Sequence, residues 1–175
     1  MTSIPTPTVL GRIRSPWTVP ATTPYQSLHD PDGEGRVELD PRHAPLLAGL
    51  DGFDYVWLLT WLDRAGEPAP DGRVVPFLLR HLGAAAPRIG ILATRHPARP
   101  NPIGLSVVRL LAVDGATLHV RGLDALDGTP VLDVKPWQQH LDVPRWDEGP
   151  AAVAAVRGGW MADARIDRSD GSTNR

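Results

Sequence analysis

Short apolar runs that alternate with polar positions and break at proline or glycine dominate the chain. Val9 to Arg14 reads as a first strand, closed by the Ser15-Pro16-Trp17 break. Val37 and Leu39 mark a second, short one. Phe53 to Leu62 is more apolar. Alternation there sets Tyr55, Trp57, Leu59 and Trp61 on one face and Val56, Leu58, Thr60 and Leu62 on the other. With both faces apolar, the pattern predicts a central strand and places Trp57 and Trp61 in the core. Ile89 to Thr94, Leu105 to Val113, Thr117 to Leu123 and Val131 to Trp137 follow as strands. Asp114-Gly115 is a two-residue hairpin signal.

Helical signals are fewer. Asp40 before Pro41 is a capping carboxylate with proline in the first turn. His43, Leu46, Leu47 and Leu50 supply the face, and Gly49 or Gly52 ends it. Val74 to Gly83 fits a short helix or a strand, and residues 150–164 fit a helix around Val153, Val156, Trp160 and Met161. Residues 18–35 and 63–73 are Pro/Gly-rich loops, and a loop as long as the first is often functional. Many short strands without regular strand–helix alternation predict an all-β fold. The expected architecture is a mainly antiparallel, closed or near-closed barrel with a few short helices, not a Rossmann sheet. The domain reading is a flexible N-terminus over 1–8, a barrel over 9–144, and a C-terminal segment over 145–175 with a helix and a mobile tail.

Composition narrows the function classes. A chain of 175 residues, 42% hydrophobic, can bury one substantial core. No run approaches the roughly 18–20 apolar residues of a membrane span, and no secretory leader is visible. A cytoplasmic protein with no membrane association is expected. With no cysteine there is no thiolate nucleophile or thiolate metal site, and the six histidines lack metal-ligand spacing. No metal is expected. The formal charge of −2 argues against a general polycation binder. RNA binding would need arginines concentrated locally, as at Arg88, Arg95 and Arg99, or pooled across a dimer. Glycine-rich dinucleotide and phosphate loops are both missing.

The densest chemistry lies in residues 93–106, ATRHPARPNPIGLS. Pro97, Pro100 and Pro102 each fix φ near ~−65° and remove a backbone donor. They also hold Arg99 and Asn101 extended. The loop is therefore rigid before any ligand arrives, and its guanidinium and amide groups suit a carboxylate or phosphate. Bonding of Arg95 and Arg99 to loop carbonyls is the competing reading.

Two further clusters bear on function. Asp133, Lys135 and Trp137 alternate, so they share one strand face. Taken alone, that face fits a solvated, salt-bridging surface. Beside the 93–106 loop it fits a catalytic carboxylate, a lysine that orients it, and an indole that stacks a nucleobase. Asp124 and Asp127 fit either a self-capped Asp-Gly turn or acceptors for ribose hydroxyls and an amino group.

The 93–106 run resembles the signature of the TsaA/TrmO-like family. Gly11–Pro16, Leu50–Trp57 and Leu123–Pro136 match it in order and spacing, so the resemblance spans about residues 9 to 144. It implies a barrel that uses S-adenosylmethionine to methylate adenine in tRNA, working as a homodimer with its site near the interface. It also implies cofactor contacts at Gln26, Ser27, Asp63, Arg64, Arg95, Leu105, Asp124, Asp127, Gly128 and Thr129. Asp133 and Lys135 are the expected catalytic residues, with Arg99, Asn101 and Trp137 on the substrate.

The chain departs from the family in several places. Asp63-Arg64 replaces a usual histidine, Trp137 replaces a tyrosine, and residues 75–80 are less basic and polar than the family's lead-in. There is also little room for the C-terminal domain of some bacterial members. The leading expectation is methyl transfer to the exocyclic amine of threonylcarbamoyl-adenosine beside the anticodon. The alternatives are a methyltransferase of a small metabolite and a non-catalytic nucleotide- or RNA-binding barrel.

Overall fold

Eight strands appear in the computed structural model, which describes residues 6–155, 157 and 159–161. Expectations for residues 1–5, Val156, 162–164 and the tail after Ile166 lie outside these. The chain divides into two compact units, one from 1–63 with 103–138 and the other from 64–102 with 139–175.

The first unit is a closed antiparallel barrel. Its strands are β1 (Gly11–Arg14), β2 (Glu34–Leu39), β3 (Tyr55–Trp61), β6 (Ile103–Asp114), β7 (Thr117–Arg121) and β8 (Pro130–Pro136). They run in the order β1-β2-β7-β6-β3-β8, with β8 pairing back onto β1. Register explains the core. Ile13 lies opposite Val37, Val37 opposite Leu118, and Val56 opposite Val108, so one set of alternating positions converges inside. Ile13, Val37, Val56, Leu118, Val120 and Val131 are fully buried there. Each stabilises the fold by about 1.5–3 kcal/mol relative to exposure. Gly11 is required by close approach: a Cβ there would run into the Glu38 carbonyl of β2.

The Asp114-Gly115 hairpin is present, with Asp114 opposite Thr117 and Gly115 at φ 58°. Asp40 caps the Pro41–Leu47 turn, its Oδ1 accepting the Arg42 N–H at 3.1 Å, but the turn is 3₁₀ rather than α-helical. Gly49, at φ 84°, ends it as expected.

The core assignment of Trp57 and Trp61 is corrected. Val56, Leu58 and Thr60 occupy the interior, while Trp57 and Trp61 point outward and are half-buried. In a closed barrel only one face of β3 reaches the core.

In the second unit, β4 (Arg73–Val74) pairs with β5 (Ile89–Gly90). The expected strand over Ile89–Thr94 stops at Gly90. A 3₁₀ turn, Ile91–Ala93, follows, closed by the Thr94 N–H on the Ile91 carbonyl at 3.1 Å. The ambiguous Val74–Gly83 stretch resolves into the end of β4 and a 3₁₀ segment, Phe77–Ala85, broken at Gly83 (φ 56°, ψ −130°). Arg88 braces β4: it pairs with Asp71 at 2.6 Å and donates to the Arg73 carbonyl at 2.8 Å. Among its described residues the unit also has two short helices, α1 (Gln139–Asp142) and α2 (Pro150–Ala154), with 3₁₀ turns at Trp146–Glu148 and Gly159–Met161.

Candidate active site

β8 turns Val134 against the core and therefore carries Asp133 and Lys135 on its outward face. The chain's single lysine, Lys135, places Nζ 2.7 Å from Asp133 Oδ2, while Asp133 Oδ1 accepts the Val134 N–H at 2.9 Å. Both carboxylate oxygens are thus oriented. At the end of β8 the Trp137 N–H donates to the Tyr55 carbonyl at 3.0 Å. The two rings meet edge to face, with centroids 6.0 Å apart and planes at 68°.

Register extends this face across three strands. Leu59 lies opposite Asp133 and Trp57 opposite Lys135, while on β6 Leu105 faces Leu59 and Val107 faces Trp57. Leu105 is 50% exposed. The result is a carboxylate–ammonium pair on an aromatic and aliphatic wall. Sequence reasoning missed Tyr55 and Trp57 as neighbours of the pair. Their shared strand face was legible, but which face looked outward was not.

Asp124 lies elsewhere on the same unit. It accepts the Ser106 hydroxyl at 2.5 Å and the Ser27 N–H at 3.0 Å, tying the 18–35 loop to β6. Burial pushes its carboxyl above the usual carboxylate range, and the hydrogen bonds from Ser106 and Ser27 oppose that shift. Ser106 belongs to the 93–106 run, whose sequence alone gives it no role. The Gln26 amide donates to the Tyr25 carbonyl at 2.7 Å.

Asp127 has different partners. Its Oδ1 accepts the Ser15 N–H at 3.2 Å, its Oδ2 lies 3.9 Å from Arg14, and its own N–H donates to the Trp17 carbonyl at 2.7 Å. The Gly128 N–H goes to the Ile13 carbonyl at 2.9 Å and the Thr129 N–H to Leu126 at 3.1 Å. Gly128 also accepts from Arg12 at 2.7 Å. Of this turn's backbone donors, that of Gly128 holds β1, that of Asp127 holds the segment after it, and that of Thr129 closes the turn itself. Asp127 lines a cleft of about 470 Å³ with Arg14, Ser15, Arg36 and His119. Asp63 is exposed, and its N–H donates to the Trp61 carbonyl at 2.9 Å.

The remaining candidates belong to the second unit. Thr94 Oγ1 donates to the Ile91 carbonyl at 2.8 Å and accepts the His96 N–H at 3.1 Å. His96 Nδ1 accepts the Ala98 N–H at 3.2 Å, and Arg99 Nη1 donates to the Thr94 carbonyl at 2.6 Å. Hydrogen bonds therefore reinforce what the prolines begin. Arg99 has a loop-bracing contact, whereas Arg64, Arg95 and Asn101 are exposed.

The Ala98 bond assigns the His96 proton to Nε2 in the neutral ring. Burial, then the charges of Arg80 and Arg99, hold the His96 pKa below its usual value. The folded state thus favours neutral imidazole. Its contribution is complete above the unfolded pKa of about 6.5 and is lost as pH falls from there through the lower folded value. Urea midpoints should therefore fall over that window, and His96→Asn should remove that component. Identical pH profiles for the two proteins would refute the assignment.

The family model described as the tRNA-methyltransferase O N-terminal domain matches residues 12–143. The chain belongs to this family. An S-adenosyl-L-methionine-binding protein of Archaeoglobus fulgidus is 35% identical over 140 residues, covering 80% of this chain and 94% of the relative. The human tRNA (adenine(37)-N6)-methyltransferase is 33% identical over 139 residues, covering 79% of this chain and 30% of the enzyme. A crystal structure of TrmO from Pseudomonas aeruginosa superposes with a TM-score of 0.68 at 32% identity, covering 92% of this chain and 63% of that one. The chain thus spans less than two thirds of that solved structure and under a third of the human enzyme. Its closed barrel is the architecture of this tRNA-methyltransferase O N-terminal domain family. Among the described residues, no group of three or more His, Cys, Asp or Glu is placed to hold a metal ion. None of their helices is long and apolar enough to cross a membrane.

Proposed function

We propose that the protein is an S-adenosylmethionine-dependent methyltransferase acting on the exocyclic amine of an adenosine beside a tRNA anticodon, with threonylcarbamoyl-adenosine as the preferred nucleoside. The observation that carries this reading is the Asp133–Lys135 pair on an outward wall that also holds Trp57, Leu59 and Trp137. The names of the relatives support it.

The donor set fits the cofactor. An exposed Leu105 facing Leu59 offers apolar area for a flat ring, and a carboxylate near aromatic faces suits a sulfonium cation. Gln26, Ser27, Leu105 and Asp124 would hold it, and when bound it would supply an electrophilic methyl group, the methyl–sulfur bond breaking so that its electron pair leaves on the thioether. Ser27 is fixed for that role by its bond to Asp124. Trp137 stacks the target base. Lys135 directs Asp133, and Asp133 hydrogen-bonds the amine. Asp133 then accepts the proton that becomes acidic as the new N–C bond forms. Fixed orientation supplies most of the remaining advantage, because the amine lone pair is delocalised into the ring.

We further propose a cytoplasmic homodimer. Ile103 at 47% and Leu105 at 50% exposure leave one end of the barrel wall open to a second copy. The formal charge of −2 favours one other reading, transfer to a small metabolite by the same cofactor site. Incubation with methyl-labelled cofactor and tRNA decides between them. Label in the adenine amine is the expected result. Cofactor binding without label in RNA would favour the metabolite, and no cofactor binding by calorimetry would sink both.

A further inference from the structure

The outward wall of the barrel is not uniform along its strands. At one end Ile103 and Trp61 make it aliphatic and aromatic without charge. At the other end Arg109 lies opposite Tyr55, and Trp57 lies opposite Lys135. Directly opposed residues in an antiparallel pair place their side chains on the same face, about 4.5–5.5 Å apart at Cβ. A guanidinium therefore stands beside a phenol whose ring already contacts Trp137.

Arg109 differs from the other arginines around the barrel. Arg14 is paired with Glu38 at 2.7 Å, Arg121 with Glu34 at 2.7 Å, and Arg12 donates to the Gly128 carbonyl at 2.7 Å. Arg109 is exposed, and its guanidinium has no hydrogen-bond or ion-pair partner among the described residues. Its other cross-strand neighbour, Arg121, is already paired with Glu34 and gives Arg109 no counter-charge. The structure leaves this cation uncompensated, and it does so next to exposed aromatic surface. A base stacked on a ring with its phosphate on an adjacent guanidinium has this combination of needs.

We propose that Tyr55, Trp57 and Arg109 form a nucleotide-binding station beside the Asp133–Lys135 pair. It takes the base and phosphate of a single-stranded RNA residue neighbouring the one that is methylated. The station rests on the RNA reading above and extends it to residues outside the expected site. It also offers an answer to how a chain of net negative charge holds RNA: through one uncompensated cation and stacking, with few phosphate contacts. Weak salt dependence follows from that design.

The test is equilibrium binding of a fluorescein-labelled anticodon stem-loop RNA, read by anisotropy over a salt series, with no methyl transfer required. Arg109→Gln should weaken binding severalfold and reduce the salt slope by about 0.7, the release expected for one single-strand phosphate contact. Tyr55→Ala should weaken binding about fivefold or more, and Tyr55→Phe should restore it because the phenyl face still stacks. Circular dichroism and S-adenosylmethionine binding should match wild type in each variant. Wild-type RNA affinity in both Arg109→Gln and Tyr55→Ala would overturn the station, as would a wild type that does not bind the RNA. A fall in sedimenting mass in either variant would reassign the face to contact between copies. RNA that binds through these residues yet is never methylated would leave the station standing and remove the proposed activity.

Discussion

Asp133→Asn lowers the methyl-transfer rate by about 10²-fold or more while leaving the affinity for S-adenosylmethionine within about twofold of wild type. Asparagine keeps the shape of the side chain and can still accept the Val134 N–H. It cannot accept a proton, and one orientation of its amide turns an NH₂ toward Lys135, whose ammonium lies 2.7 Å from the native carboxylate. Both partners are substantially exposed, at 40% and 61% of their side-chain surface, so loss of the pair should change stability by no more than about 1 kcal/mol. Single-turnover rates with labelled cofactor, set beside calorimetric binding and a urea curve, separate the three effects. A collapse of cofactor binding with turnover otherwise intact would move Asp133 from proton transfer to cofactor contact.

What the sequence made legible, and what it hid, follows from the range of the interactions. Alternation in β3 placed Tyr55 with Trp57 and Trp61, and alternation in β8 placed Asp133 with Lys135, because both patterns are local. Neither says which side of a strand faces the barrel interior. Both faces of β3 are apolar, and register with β6 and β8 alone puts Val56 and Leu58 inside. The Ile89–Thr94 run looked like a strand because Ile89, Ile91 and Leu92 are apolar. The chain instead turns at Ile91, where Thr94 can satisfy the Ile91 carbonyl with both its N–H and its hydroxyl.

The site shows the same division. Arg95 is exposed in the proline-fixed loop, whereas Arg99 follows the competing reading and braces the Thr94 carbonyl. Asp124 was readable only as a candidate carboxylate. Its partners Ser27 and Ser106 lie 97 and 18 positions away in sequence, and only closure of the barrel brings them together. Asp127 matched Asp124 in spacing and in resemblance, yet it holds Ser15 and Arg14.

That separation makes Asp124 the residue whose loss should most disturb the fold around the Ser27 turn. Asp124→Ala leaves the Ser27 N–H and the Ser106 hydroxyl without their acceptor, at about 1–3 kcal/mol for each group that stays buried. A urea midpoint lowered by about 2–4 kcal/mol in total is expected. The Kd for S-adenosylmethionine should rise about tenfold as the Ser27 turn loosens, since about 1.4 kcal/mol of ordering suffices for that change. Asp124→Asn tests the cause. It restores one acceptor and removes the burial of a charge, so its stability should fall less than that of the alanine variant. The sign of the pH dependence supplies an independent check. Because the folded carboxyl titrates above its unfolded value of 3.8, the folded state binds the proton first as pH falls. Wild-type stability therefore gains over the window from just above the folded value down to 3.8, and Asp124→Asn should lack that gain. If the asparagine variant keeps the wild-type acid profile, or the alanine variant binds cofactor as tightly as wild type, Asp124 does not hold the segment in place.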